Sequence, residues 1–383
     1  MTAGACPLGR RARPELSETL KSRIFAVTGA FFPVPAKRTL LSITAFFLLT
    51  AGAALPRTAS AGEGAENFGI EPLPQLDISQ IREIFSPLDE PLGLDPAKVA
   101  LGRRLFNDTM LSSDRTLSCE SCHRLSDWGM DGMPVPMVPS KAAVRRNTPS
   151  VFNAGLQFAQ NWDGVAQTLE ELIPHSISET MAMGEDWKKL TARLRHDNSY
   201  RRAFRETYRG EISKSTIVDA LAVFLRSLVT LNAPFDRFLR GNEKALDEEQ
   251  RKGLGLFITL GCSSCHQGVL LGGNLYQALG IYRGFFAESD SPEARDLGRF
   301  AVTGDESDRY VFKVPSLRNV AKTAPYLHNG SVETLEKAVK GMAHLQLARN
   351  LEAMEISAIV SFLESLTGEL PEGIQTGDIW SNR

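Results

Sequence analysis

Cys119-Glu120-Ser121-Cys122-His123 and Cys262-Ser263-Ser264-Cys265-His266 are the segments of this chain whose residue types and spacing dictate a chemistry. In C-x-x-C-H, two thiols one helical turn apart add across the vinyl groups of a haem, and the adjacent imidazole meets the iron. A single copy would also suit half a zinc site or a redox dithiol. Two copies, using four of the five cysteines, point to covalent haem at Cys119, Cys122, Cys262 and Cys265, with His123 and His266 as iron ligands.

The fifth cysteine, Cys6, sits in residues 1–61, which carry eight basic residues against Glu15 and Glu18. There Lys37-Arg38 precede an apolar run at 39–55, and Ala59-Ser60-Ala61 has the small-x-small form of a cleavage site. This predicts a signal peptide and export to the periplasm, the alternative being an uncleaved membrane anchor.

Two haems need helices to hold them, and the flanks supply these twice. Asp95-Pro96 predicts an N-cap and first-turn proline for a helix running through Leu101, Leu105 and Phe106 toward the first motif. Asp247-Glu248-Glu249 opens its counterpart, through Leu254 and Phe257. Each half closes on an amphipathic segment, A-L-A-V-F-L-R-S-L at 220–228 and A-I-V-S-F-L-E-S-L at 358–366. The fold class expected is therefore mainly α, with two tandem cytochrome c-like domains and little β structure.

The expected organisation is a leader at 1–61, an irregular arm at 62–94 and an N-terminal haem domain at 95–242. A C-terminal haem domain at 243–370 and a tail at 371–383 follow, with 232–242 as linker. Composition agrees with a globular protein: 383 residues, 43% hydrophobic and 23% charged. With 43 Lys+Arg against 45 Asp+Glu there is no dominant basic field, which argues against nucleic acid as a partner.

Five further strings carry a resemblance. They are R-N-T-P-S-V-F-N at 146–153, W-D-G at 162–164, G-V-L-L-G-G-N at 268–274, F-K-V-P-S-L-R-N at 312–319 and T-A-P-Y-L-H-N-G at 323–330. With the haem motifs, they make the chain resemble the bacterial di-haem cytochrome c peroxidases, related to the MauG-like enzymes, over about residues 75–370.

The resemblance implies an electron-accepting C-terminal haem ligated by His266 and a distal methionine. Met342, fourteen residues after His328, holds that position. It also implies that Trp162 bridges the haems, and that a calcium ion binds the Asn147 side chain and the carbonyls of Thr323 and Pro325. His328 is expected to hydrogen-bond near the C-terminal haem, and Arg318 to meet a haem propionate or cap a turn.

The N-terminal, peroxidatic haem is where the sequence departs from the family. Pro139 stands where relatives have a displaceable histidine, Leu172 where they have a glutamine, and Ala182 where they have the glutamate that moves the peroxide proton. His175 and Glu179 are the nearest substitutes, while Met130, Met133, Met137, Met181 and Met183 crowd the same loops as packing groups or alternative ligands.

The expected function is a periplasmic peroxidase reducing hydrogen peroxide with electrons from a small cytochrome c or cupredoxin, with homodimerisation implied by relatives. The alternatives are a MauG-like oxidase of a partner protein and a non-catalytic di-haem carrier or sensor.

Overall fold

In chain order, the computed structural model of the protein describes residues 77–91, 93–136, 146–178, 183–285 and 296–374. The leader, Pro139, Met137, Glu179, Met181 and Ala182 lie outside these. Helices over the described residues are α1 (Ile78–Ile84), α2 (Pro96–Asn107), α3 (Leu169–Ile177), α4 (Trp187–His196), α5 (Asn198–Tyr208), α6 (Lys214–Ser227), α7 (Pro234–Leu239), α8 (Glu248–Thr259), α9 (Phe300–Thr303), α10 (Leu335–Leu347) and α11 (Ala353–Glu364). The strands β1 (Tyr276–Ala278) and β2 (Val311–Lys313) pair antiparallel, with Tyr276 opposite Lys313. The protein is thus mainly helical with a tiny sheet, as the motif flanks predict.

Both motif-bearing helices start where the caps place them. Asp95 accepts from the Ala97 amide at 2.9 Å with Pro96 in the first turn, and Asp247 accepts from the Gln250 amide at 2.8 Å. Each cap satisfies one of the amides a helix start leaves unpaired, at a gain of about 1 kcal/mol.

Each of these helices crosses its closing helix through a glycine. A Cβ on Gly102 would lie 2.0 Å from the Ala220 carbonyl oxygen, and one on Gly253 would lie 1.9 Å from that of Ala358. Alongside each crossing an aromatic pair meets, Phe106 with Phe224 at 5.3 Å and Phe257 with Phe362 at 5.2 Å between ring centroids.

Two apolar cores follow. One gathers Leu101, Leu105, Phe106, Leu190, Tyr200, Phe204, Leu221 and Phe224, and the other Phe257, Ile359, Phe362 and Leu363 from α8 and α11. No helix among the described residues is long and apolar enough to cross a membrane.

The arm expected to be irregular and the expected linker each contain a short helix. The arm contains α1, which sends Ile81, followed by Phe85, into the second core, and the expected linker contains α7, which buries Phe235, Phe238 and Leu239 there. Their few apolar residues fall at helical spacing, but the segments are too short for periodicity to stand out from the surrounding Pro, Asp and Asn. Packing against α8 and α11 decides their conformation.

Candidate functional site

Each C-x-x-C-H segment forms a single tight turn, Cys119–Ser121 and Cys262–Ser264. The His123 amide donates to the Cys119 carbonyl at 2.9 Å and the His266 amide to that of Cys262 at 3.0 Å, which is how the spacing brings two thiols and an imidazole together. None of these four cysteines forms a disulfide. Burial pushes the Cys119 thiol up to about 12 and the Cys262 thiol up to about 11, so both stay protonated.

Both imidazoles are oriented from behind. His123 Nδ1 lies 3.2 Å from the Gly129 carbonyl oxygen, and His266 Nδ1 lies 3.1 Å from that of Leu271. A carbonyl only accepts, so Nδ1 carries the proton and Nε2 keeps its lone pair for a metal. Burial lowers the pKa of both rings, that of His266 to about 4, which keeps them neutral and fit to ligate.

The Leu271 carbonyl is aimed by its own left-handed backbone, φ 48°, and by Gly272, φ 125°, where a Cβ would stand 2.1 Å from the Pro315 carbonyl oxygen. Only glycine admits that approach.

In the C-terminal half, Cys262, Cys265 and His266 line a cavity of about 450 Å³. Its walls include Phe257, Leu260, Val320, Val339, Ile359 and Leu363, and Met342 of α10 is in the same lining. An apolar slot offering two thiols, an imidazole with a free Nε2 and a thioether suits a covalently bound haem and little else.

Along the seam toward the first half, the five resemblance strings converge. Trp162 lines the cavity, donates from Nε1 to the Asn147 carbonyl at 2.9 Å, and accepts at its own carbonyl from the Lys313 amide at 2.8 Å. Its ring meets His328 edge-on at 6.5 Å. His328 is buried, stacks on Phe312 at 4.3 Å, and has Nε2 3.9 Å from Asp296; burial lowers its pKa to about 4, leaving it neutral.

Arg146 grips Asp296 through two hydrogen bonds, 2.5 and 2.8 Å, and also pairs with Asp163 of W-D-G. This buried guanidinium ties two strings that the sequence keeps apart, and its forked geometry is what a bidentate carboxylate contact requires.

Asn147, Thr323 and Pro325 all line the same cavity. The Asn147 side chain donates to the Met133 carbonyl at 2.9 Å. Among the described residues, no group of three or more His, Cys, Asp or Glu side chains is arranged to hold a metal ion.

The peroxidatic substitutes fare differently. His175 is half-buried near the end of α3, and Leu172 is half-buried one turn earlier on the same helix. Neither belongs to the cavity lining, and Glu179 lies outside the described residues. Met130 and Met183 are buried, Met183 within the first core.

Arg318, considered for a propionate or a turn, lines the cavity and is held by protein groups. It pairs with Asp236 of α7 at 2.7 Å and donates to the carbonyls of Val269 at 2.9 Å and Ser86 at 3.3 Å. Asp236, Asp296 and Gln157 have no signal in the sequence, being single polar residues far from the groups they hold. Lys313, a cation inside the apolar F-K-V run, is the one missed residue that sequence could have flagged.

Comparison with known proteins agrees with this geometry. The profile of the di-haem cytochrome c peroxidases matches residues 96–244. The chain is 40% identical over 288 residues to cytochrome c peroxidase Ccp of Escherichia coli (strain K12), a match covering 75% of this chain but only 61% of that protein. It is 37% identical over 311 residues to the cytochrome c551 peroxidase of Pseudomonas aeruginosa, covering 78% of this chain and 89% of the relative. Among solved structures, a MauG-like protein associated with microbial copper homeostasis superposes with a TM-score of 0.65 at 30% identity, over 74% of this chain and 93% of that one. With its paired haem motifs, its duplicated helix crossings and a relative matched over most of its length, the chain belongs to the di-haem cytochrome c peroxidase family.

Proposed function

We propose that this chain is an exported peroxidase that reduces hydrogen peroxide to water with electrons from a small cytochrome c or cupredoxin. Its two haem c groups divide the work between residues 95–242 and 243–370. The observation that carries this reading is the pair of motif imidazoles, each held through Nδ1 by a carbonyl, with Trp162 of the first half in the lining of the C-terminal cavity. When bound, the haems supply one-electron storage and a peroxide-binding iron.

The protein's part is positional and electrostatic. His266 and Met342, both in the lining of one cavity, would hold the iron of the C-terminal haem, and a soft thioether ligand would raise its potential so that it accepts electrons readily. Trp162, fixed by its bond to Asn147, lies on the path between the centres. Asn147, Thr323 and Pro325 would hold a calcium ion through oxygen atoms, which suits that hard cation. At the N-terminal haem, His123 is the protein ligand, and Leu172 neither gives nor takes a proton. His175 and Glu179 provide the acid–base help, a contribution typically worth about 10²–10⁴-fold when well placed.

Steady-state peroxide consumption by the haem-loaded protein, with reduced cytochrome c or cupredoxin as donor, tests the reading. Turnover with either donor supports it. Haem-loaded protein that ignores peroxide in the presence of donor overturns it. A second reading, a MauG-like oxidase of a partner protein, draws on the similarity to the MauG-like structure. Oxidation of a protein substrate without donor turnover would favour it.

A further inference from the structure

Lys313 is a buried cation with no anion beside it. Its side chain lies in the wall of the C-terminal cavity and the residue is 6% exposed, yet its ammonium meets only the neutral carboxamide oxygen of Gln157. No carboxylate among the described residues pairs with it, and burial lowers its pKa to about 8 with nothing opposing the shift.

An ammonium taken out of water without a counter-charge is costly, because no nearby anion replaces the hydration it loses. The backbone gives it no freedom to escape. Lys313 sits in β2, its amide donates to the Trp162 carbonyl at 2.8 Å, and the strand pairing places it opposite Tyr276. The other cation of the lining, Arg318, has its guanidinium nitrogens taken by Asp236, Val269 and Ser86. Among the described residues, the lining of the cavity therefore has one positive charge without an anionic partner, on the wall of the space that a haem with two propionates would fill.

We infer that Lys313 is the counter-charge for a propionate of the C-terminal haem, and that it holds that haem's potential up. The inference rests on the haem reading of the cavity and goes beyond it by assigning the anionic edge of the group to a named residue. A positive charge beside the haem favours the reduced form, which carries one more electron, so removing it should make the haem harder to reduce. Lys313 is a positioning and tuning residue here, apart from the axial pair.

The test compares full-length, haem-loaded wild type with Lys313→Met and Lys313→Arg. Haem content is read by intact mass, and each haem's potential by spectroelectrochemical titration. Lys313→Met should carry both haems, with the reduction equilibrium of the C-terminal haem against a fixed mediator falling at least tenfold, equivalent to about 59 mV for one electron. The N-terminal haem should not move. Lys313→Arg should restore most of the loss.

If the methionine variant does not accumulate, Lys313→Gln keeps a polar donor without the charge and is read in the same way. A variant carrying both haems whose C-terminal potential is unchanged or raised overturns the inference while leaving the haem reading intact. A wild-type chain lacking haem at Cys262 and Cys265 would overturn the reading itself.

Discussion

α2 crosses α6 at Gly102 and α8 crosses α11 at Gly253, each glycine pressed against an alanine carbonyl and each crossing flanked by a pair of phenylalanines. In both halves a carbonyl holds Nδ1 of the motif histidine. The scaffold is the same device built twice. What surrounds it differs. The second half collects Met342, Lys313, His328 and Trp162 around one cavity, whereas α3 of the first half offers Leu172 and His175. The lesson is that the crossed helix pairs set where a haem can sit, and the segments packed around them set what it can do.

The halves also differ in how they are fastened. Arg318–Asp236 is a fully buried pair, its side chains 1% and 0% exposed, that ties α7 and the arm to the C-terminal half. The pair joining α3 to α6, Arg226–Glu170, is about one-third exposed on each side, at 36% and 41%. Arg318→Ala leaves Asp236 buried and unpaired and should cost about 3–5 kcal/mol, whereas Arg226→Ala should cost under about 1 kcal/mol. Denaturant titrations of the two variants measure the contrast, and equal losses would erase it.

Next in size is the shared crossing. Gly102→Ala and Gly253→Ala each drive a methyl into a backbone carbonyl that cannot rotate away, so each should cost about 3 kcal/mol through forced separation of the helices. Thermal unfolding of both variants, followed at the haem absorbance, should show similar losses. A large cost in one half and none in the other would mean that the two crossings are not equivalent.

Met342→His probes the chemistry that separates the halves. The C-terminal haem should stay low-spin while its potential drops on the order of 100 mV, equivalent to about 2 kcal/mol, with the N-terminal haem unmoved. Potentiometry with near-infrared detection of methionine ligation checks this. Persistence of that band would place the ligand elsewhere.

The smallest effect on stability is expected at the seam. Trp162→Phe deletes one hydrogen bond to the Asn147 carbonyl, about 1 kcal/mol, yet replaces a readily oxidised ring with a resistant one. Both haems should load normally while inter-haem transfer, followed by flash or stopped-flow reduction, slows. A variant that unfolds but, where folded, transfers at the wild-type rate would make Trp162 a packing residue only.

The haem motifs, the helix starts at Asp95 and Asp247, and the duplication are legible along the chain, because they depend on residues close together in it. Thiol spacing, cap chemistry and apolar periodicity are local properties. The sequence also determines that Leu172 cannot move a proton, since no fold gives a hydrocarbon a titratable group.

That Arg318 belongs to Asp236, that Arg146 joins Asp163 to Asp296, and that Lys313 is buried without an anion among the described residues emerges from the folded molecule alone. Each of these depends on which side chain lies across a cavity or seam, between residues separated by up to 156 positions in the chain. The folded molecule likewise decides that α1 and α7 are helices, because segments that short gain too little from their own hydrogen bonds and are ordered by the core they complete.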